Sequence, residues 1–299
     1  MKKSQLIALC GLAMFTACGS DYDQYDATGI FEAREILVSA ETSGRVEVLD
    51  INEGDDVKAG QSLGLIDTLQ LHLAKEEILA SNEAISSRYV DIDLQLSALR
   101  ERLSVLRSEY DRFSSLVSTG SVSKKQLDDM NSEINILETQ IKAQENALES
   151  SNMTISGESK AGFVRLQRIN DQIKRSVLKS PITGRIIEKY VDRVELTMQG
   201  APVYKVADVE NMYIRAYLTS DQLKSVKVGD KVTVVSDFGD DQINEYEGTL
   251  TWISDKSEFT PKTIYTSNER ANLVYAVKIS FKNDGYAKIG MYGGVKFIR

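Results

Sequence analysis

The chain has 299 residues, a formal net charge of −8, two cysteines and three prolines. This length allows two or more domains, the acidic balance argues against broad nucleic-acid binding, and two cysteines form neither a disulfide framework nor a four-thiolate zinc site. All three prolines lie after residue 180, which indicates that the earlier part of the chain contains long elements that exclude proline.

The N-terminus has the pattern of a bacterial export signal. Two lysines precede an apolar run from Leu6 to Phe15, which is shorter than the roughly 20 apolar residues that span a bilayer. The next residues resemble the lipobox of bacterial lipoproteins, with Phe15 where leucine is usual. The resemblance implies that residues 1–17 are a signal peptide, that Cys18 is lipidated and that residues 18–28 are a tether; an ordinary signal peptide is the alternative. The mature chain would have 282 residues and a net charge of −10.

Residues 67–176 are predicted to form a long antiparallel coiled-coil hairpin. Apolar residues there recur at alternating spacings of four and three, which places one narrow seam on each helix. The seam of the first arm is Ile85, Tyr89, Ile92, Leu96, Leu99, Leu103, Leu106, Tyr110, Phe113 and Val117, and that of the second is Leu127, Met130, Ile134, Leu137, Ile141 and Leu148. Charged residues on the other faces favour a free-standing hairpin over the core of a helical bundle, which is the alternative.

The arms are joined at a short tip. Gly120 stands alone between two stretches without glycine or proline, and it is predicted to cap the first helix. Ser123 is predicted to cap the second helix. Each arm of about 50 residues would reach about 75 Å. The seam of the second arm falters over residues 151–165 and resumes one position out of phase, which predicts a stutter or a short break there.

Two similar segments flank the hairpin. One lies between Ser43 and Asp67, the other between Ser180 and Asp208, and each has a glycine, a strand, a glycine turn and a second strand. Neither closes a core alone, but an antiparallel hairpin brings its two ends together. With the phrase Val57-Lys58-Ala59-Gly60, this arrangement resembles the periplasmic adaptors, or membrane fusion proteins of the HlyD type. In that family an α-hairpin splits a biotinyl/lipoyl-like domain into two halves. The resemblance implies that residues 29–66 contain a first barrel strand and the first half, and that residues 177–207 are the second half.

A true lipoyl or biotinyl carrier is the competing interpretation. Such a carrier presents its modified lysine on a tight turn between the two halves. Here about 110 helical residues occupy that place, and Lys58 lies inside the first half.

Residues 208–299 are predicted to form a small β-barrel with a short membrane-proximal end. A short capped helix is predicted from Thr219 to Lys224, and Gly29 to Val38 is expected to join the barrel. The remaining strands are predicted at Lys231–Ser236, Glu245–Ser254, Leu273–Phe281 and Val295–Ile298. Residues 255–272 are polar and long enough to be a functional loop. By the resemblance, the short end favours an ABC-type exporter as partner over the RND and MFS types.

No enzyme motif is found in the sequence. There is no phosphate-binding loop and no nucleophile elbow, and the only histidine, His72, has no partner for a metal site. We therefore expect a chain that is not an enzyme and that holds no metal or cofactor.

The sharpest candidate site lies at the tip. Arg112, Leu116 and Ser123 stand at spacings of four and seven, and they resemble the Arg-Leu-Ser motif by which adaptors meet an outer-membrane channel. Because these residue types are common, a chance match at a coiled-coil end is the alternative.

The sequence therefore predicts an α+β chain: a coiled-coil hairpin in a split lipoyl-like β domain, followed by a β-barrel. The resemblance implies a lipid-anchored periplasmic adaptor in a Gram-negative bacterium, with the inner membrane favoured. It would link an inner-membrane transporter to a TolC-like outer-membrane channel, export small molecules or peptides, and form a ring, by resemblance a hexamer. The alternative is a structural coiled-coil envelope lipoprotein without a transport role.

Overall fold

The computed structural model describes residues 25–117, 123–237, 243–259 and 273–297. Within them, three helices separate two groups of strands. The helices are α1 (Leu69–Ser86), α2 (Ile92–Val117) and α3 (Lys124–Arg175). The strands are β1 (Ala27–Ser39), β2 (Gly44–Leu49), β3 (Asp56–Val57), β4 (Ser62–Ile66), β5 (Val177–Lys179), β6 (Gly184–Lys189), β7 (Leu196–Thr197), β8 (Pro202–Thr219), β9 (Lys231–Asp237), β10 (Ile243–Phe259), β11 (Leu273–Lys282) and β12 (Tyr292–Phe297). The predicted signal peptide and Cys18 lie outside the described residues.

The helices form an antiparallel hairpin in which α1 and α2 both pack against α3. At its centre Leu96, Leu137 and Ile141 are buried together. Further predicted seam residues pack around them: Ile92, Leu99, Leu103, Leu106 and Leu148. The alternating four-and-three spacing therefore predicted the helix contact over this part of both arms. α3 has 52 residues, which corresponds to about 78 Å.

The first arm differs from its prediction. It is not one helix, because α1 ends at Ser86 and α2 begins at Ile92. Tyr89, predicted in the seam, lies in this break and is 63% exposed. We call residues 87–91 the joint.

Of the two outcomes predicted for residues 151–165, a stutter or a short break, the structure has the stutter, because α3 runs through these residues without interruption. The seam shifts phase inside the intact helix. Its buried positions there are Asn152, Ile155 and Gly162. Two of these three are not apolar, so the pattern of apolar residues failed while the helix continued.

The two flanking segments build one domain. β5, β4, β2 and β7 form a four-stranded sheet in that order, and β3, β6, the first half of β8 and the second half of β1 form a second layer. Their shared core contains Val46 and Ile66 from before the hairpin, and Leu178, Val203 and Tyr204 from after it. Neither segment has enough apolar surface to make this core alone.

The remaining strands form a closed circuit of pairings. β1 pairs with β12 and with β8, and the circuit continues through β9, β10 and β11. We call this circuit the six-strand ring. The predicted helix is a 3-10 helix, Gln222–Ser225, and the predicted joining strand is β1. β10 extends to Phe259, so the first five residues of the predicted loop 255–272 are strand; the others lie outside the described residues.

Candidate functional site

The last turns of α2 present two of the three predicted tip residues. Arg112 and Leu116 are one helical turn apart, so they share a face of the helix. Both are exposed, Leu116 by 40%. Arg112 forms no ion pair with another residue that the structure describes. The end of the hairpin thus carries an apolar side chain and a guanidinium that has five donors.

Ser123 begins the second arm as predicted. It is the N-cap of α3 and forms a capping box with Gln126: the Gln126 amide donates to Ser123 Oγ, and the Ser123 amide donates to Gln126 Oε1, both at 3.3 Å. These bonds satisfy backbone donors that the first helical turn leaves free. The cap is confirmed, while the predicted cap at Gly120 lies outside the described residues.

Ion pairs between the arms fix their register below the tip. Arg107 contacts Glu138 at 2.6 Å and Arg102 contacts Glu133 at 3.3 Å, in each case from α2 to α3. Arg100 contacts Asp93 on its own helix; this hydrogen bond is the main reason why the pKa of Arg100 is raised. Each pair is exposed and contributes little free energy, but several along one seam disfavour slippage of the arms.

The base of the hairpin rests on the joined β domain. Arg185 of β6 holds Asp56 of β3 with two hydrogen bonds, Nε to Oδ1 at 2.8 Å and Nη2 to Oδ2 at 3.0 Å. This interaction lowers the pKa of Asp56, because it favours the ionised carboxylate. The backbone amide of Gly54 adds a bond to the Ile186 carbonyl at 2.8 Å. These contacts join segments 129 residues apart, so both ends of the hairpin start from one fixed domain.

The arrangement does not match that of a carrier. Lys58 lies in the turn between β3 and β4, within the first half of the domain, where its amide donates to Gln61 Oε1. The whole hairpin lies between the halves. His72 is exposed near the start of α1, and no group of three or more potential metal ligands occurs among the described residues. Within the same residues, no helix is long and apolar enough to cross a membrane.

Residues 34–207, more than half of the chain, match the family model described as "RND MFP, barrel-sandwich hybrid domain". The chain belongs to this family of membrane fusion proteins. The β domain at the hairpin base is therefore its barrel-sandwich hybrid domain. Members of the family are periplasmic, membrane-associated adaptors and not enzymes. The HlyD type stays a prediction.

Solved structures of membrane fusion proteins share the fold. MacA from Actinobacillus actinomycetemcomitans is 20% identical, with a TM-score of 0.56 over 90% of this chain and 76% of that one. A MacA–MexA chimera that carries the Pseudomonas aeruginosa MexA α-hairpin domain is also 20% identical, with a TM-score of 0.53 over 91% and 81%. The membrane fusion protein Spr0693 from Streptococcus pneumoniae R6 is 18% identical, with a TM-score of 0.50 over 91% and 97%.

One surface feature was missed in the sequence. Val194, Leu196 and Met198 are exposed by 66%, 81% and 74% on the membrane fusion protein's barrel-sandwich domain. Their period of two beside the glycine turn at Gly200 is a strand signal with an apolar outer face. The alternation is visible in the sequence, but only Leu196 and Thr197 within it form a strand, β7, in the structure.

Proposed function

We propose that this membrane fusion protein links an inner-membrane transporter to a TolC-like outer-membrane channel for the export of small molecules or peptides. The observation that carries the proposal is the hairpin: α3 is continuous over about 78 Å, and its arms are held in register by ion pairs. A stiff rod with a broad β domain at one end and a narrow tip at the other is suited to bridging two partners.

The proposed channel contact is the tip formed by Arg112, Leu116 and Ser123. The Arg112 guanidinium is exposed and has no ionic partner among the described residues, so it is available to carbonyl or carboxylate groups of a channel mouth. Leu116 supplies apolar contact one turn later. Ser123 holds the start of α3 in place through its cap, so its contribution to the contact is to position the tip.

The proposed function includes a lipid anchor at Cys18. A lipidated Cys18 would hold the N-terminal end of β1 near the inner membrane, and the six-strand ring, which we interpret as the family's β-barrel domain, would lie towards the transporter. Several copies would surround the export path, with six as the number that the resemblance implies. Replacing Cys18 by serine is expected to move the protein from the membrane fraction to the soluble periplasmic fraction.

The experiment that tests the proposal is copurification. The tagged full-length protein is isolated from gently solubilised membranes, and its partners are identified by mass spectrometry. Recovery of a polytopic transporter together with an outer-membrane channel supports the proposal. The same data show whether the transporter is of the predicted ABC type or of the RND or MFS type. Recovery of neither partner contradicts it and favours the alternative, a coiled-coil lipoprotein that tethers envelope layers.

A further inference from the structure

An open cleft of about 650 Å³ lies where the barrel-sandwich hybrid domain meets the six-strand ring. β3 with the turn that follows it and the start of β6 line the cleft from the first domain. The bend of β8 at residues 208–212 and the turn between β11 and β12 line it from the ring. We call it the junction cleft. Its volume is in the range of small-molecule binding sites in proteins.

The apolar part of the lining comes from the cores of both domains. Val57 is buried in the core of the barrel-sandwich domain, and Met212 and Ala287 are buried in the core of the ring. Ile187 and Ile289 are partly buried beside them. A ligand in the junction cleft would therefore contact apolar side chains that the two cores already hold in place.

A single asparagine fixes the wall that the turn between β11 and β12 forms. Asn283 is buried, and its Nδ2 donates to the carbonyls of Val209 and Ala287 at 2.9 and 3.0 Å. Its Oδ1 accepts from the amides of Gly285 and Ala287 at 3.1 and 3.2 Å. These bonds tie the turn to the bend of β8, so this wall is formed before any ligand binds.

The lining carries two lysines whose charge is not paired. Lys58 belongs to the barrel-sandwich domain and Lys288 to the ring, and neither forms an ion pair within the part of the chain that the structure describes. The Lys288 ammonium donates to the Gly285 carbonyl at 2.6 Å, which leaves its charge uncompensated. The third cation of the lining, Arg185, is held by Asp56. Two ammonium groups thus remain for a ligand.

The other carboxylates of the lining are also engaged. Glu210 pairs with Lys282 at 3.0 Å. Asp208 has no cationic partner among the described residues, but its Oδ1 accepts from the Asn211 amide and its Oδ2 from Asn211 Nδ2, both at 3.0 Å. Two unpaired cations therefore face one carboxylate that is bound to its own turn. The lining keeps an excess of one positive charge beside its apolar surface, which favours a ligand that is both apolar and negatively charged.

We propose that the junction cleft binds a small amphipathic anion. Its apolar body lies against Ile187, Met212 and Ile289, and its carboxylate, sulfonate or phosphate accepts charge-assisted hydrogen bonds from Lys58 and Lys288. Because the two lysines belong to different domains, the bound anion bridges the barrel-sandwich domain and the ring. The inference goes beyond the proposed function, since binding in this cleft needs neither a transporter nor a channel.

Two dyes that differ by one group test the role of charge. 8-Anilinonaphthalene-1-sulfonate carries a sulfonate, and N-phenyl-1-naphthylamine has the same ring system without it. Both are titrated by fluorescence into the full-length Cys18→Ser chain, which is used so that no detergent competes. In this background Lys58→Gln/Lys288→Gln is expected to weaken binding of the sulfonate dye at least tenfold and to leave binding of the neutral dye unchanged.

The matched control is Lys142→Gln/Lys160→Gln, which removes two exposed lysines of α3 and is expected to bind the sulfonate dye like the parental chain. An unchanged affinity for the sulfonate dye in Lys58→Gln/Lys288→Gln overturns the proposal. So does an equal loss of both dyes, or an equal loss in the control, because neither assigns the binding to these two charges.

Methyl NMR locates the bound dye independently of the variants. The sulfonate dye is expected to shift the δ1 methyl signals of Ile187 and Ile289 and to leave that of Ile134, in the hairpin, in place. Shifts at neither Ile187 nor Ile289 overturn the proposal.

Two anions distinguish a free compound from a membrane lipid. Decanoate is a free amphipathic anion, and vesicles of dioleoylphosphatidylglycerol present the same chemistry as a lipid. Displacement of the sulfonate dye by decanoate without flotation on the vesicles assigns the cleft to a free compound. Flotation that is lost in Lys58→Gln/Lys288→Gln assigns it to a lipid. If neither is observed, the proposal is overturned.

Discussion

Asn152 in the middle of α3 binds both backbone groups of Val90 in the joint of the opposite arm. Its Nδ2 donates to the Val90 carbonyl at 2.8 Å, and its Oδ1 accepts from the Val90 amide at 3.1 Å. One side chain thus supplies the two hydrogen bonds that the broken helix leaves unmade. Asn152 is 6% exposed, so water does not readily replace it.

Replacing Asn152 by alanine is therefore expected to destabilise the hairpin by about 2 kcal/mol, because two backbone groups lose their partner in a mostly buried place. The measurement is urea denaturation followed by circular dichroism at 222 nm. Asn146→Ala, at an exposed position on the same helix, is the matched control and is expected to change stability by less than about 0.5 kcal/mol. Equal effects of the two substitutions would show that the Val90 contact is not what stabilises the joint.

The hairpin shows which features of the fold could be predicted from the sequence and which could not. Alternating apolar spacings identified Leu96, Leu137 and Ile141 as seam residues, and these three are buried together, because burial of a narrow stripe is encoded by residue type. The joint was missed because Tyr89 keeps the spacing although it is exposed in the structure. The seam of α3 could not be followed through residues 151–165 because Asn152 and Gly162 are buried there for reasons other than apolarity. Asn152 binds the broken backbone of the other arm, and Gly162 makes room for Asn82.

Tyr204 offers a test of the barrel-sandwich core. It is fully buried, its hydroxyl has no hydrogen-bond partner, and burial raises its pKa to about 12 by disfavouring the phenolate. Tyr204→Phe removes an unsatisfied polar group without leaving a large cavity. We expect the free energy of unfolding to rise by about 1 kcal/mol in chemical denaturation.

Tyr246→Phe is the control for Tyr204, because the Tyr246 hydroxyl donates to Asp284 Oδ1 at 3.0 Å. Losing that bond is expected to lower the free energy of unfolding by about 1 kcal/mol. A loss of stability in both variants would mean that the Tyr204 hydroxyl is satisfied in solution.

The pairing of Asp56 with Arg185 predicts a pH dependence. Because the pKa of Asp56 is lowered in the folded protein, the stabilisation is present above the unfolded value near 4 and is lost as the pH falls through the lower folded value. Asp56→Asn is therefore expected to lower the thermal midpoint at pH 7 and to match the parental chain at low pH. The effect is small, since the Asp56 side chain is 72% exposed.

Thermal melts of both chains from pH 7 down to pH 2.5 measure this difference. Asp50→Asn is the control, because its carboxylate forms no ion pair among the described residues. A difference between Asp56→Asn and the parental chain that stays constant over this range would rule out the ion pair as its source.

The candidate site was predictable in part for a similar physical reason. Ser123 was identified as an N-cap because capping needs a short polar side chain before a helix, which is a local property. The alternation of Val194, Leu196 and Met198 is visible in the sequence, but their exposure is not. That exposure depends on β7 being a sheet edge, and edges are set by pairings between distant segments. The strain at Val194 is likewise invisible in the sequence, since nothing local marks a valine with a positive φ.

The tip can be tested without knowledge of the exported substrate. Arg112→Asp and Leu116→Asp are each expected to reduce the channel recovered with the tagged protein at least tenfold, while recovery of the transporter stays at the parental level. Both side chains are exposed, so the variants are expected to keep the parental helix content.

Two further substitutions separate a local contact from a general change of the hairpin. Leu94→Asp lies 22 residues from Leu116 on the same helix, or about 33 Å away, and Arg165→Asp reverses an exposed charge on α3. Both are expected to leave channel recovery unchanged. Normal recovery with Arg112→Asp and Leu116→Asp would exclude these two residues from the contact, and equal losses in all four variants would assign the effect to the hairpin as a whole.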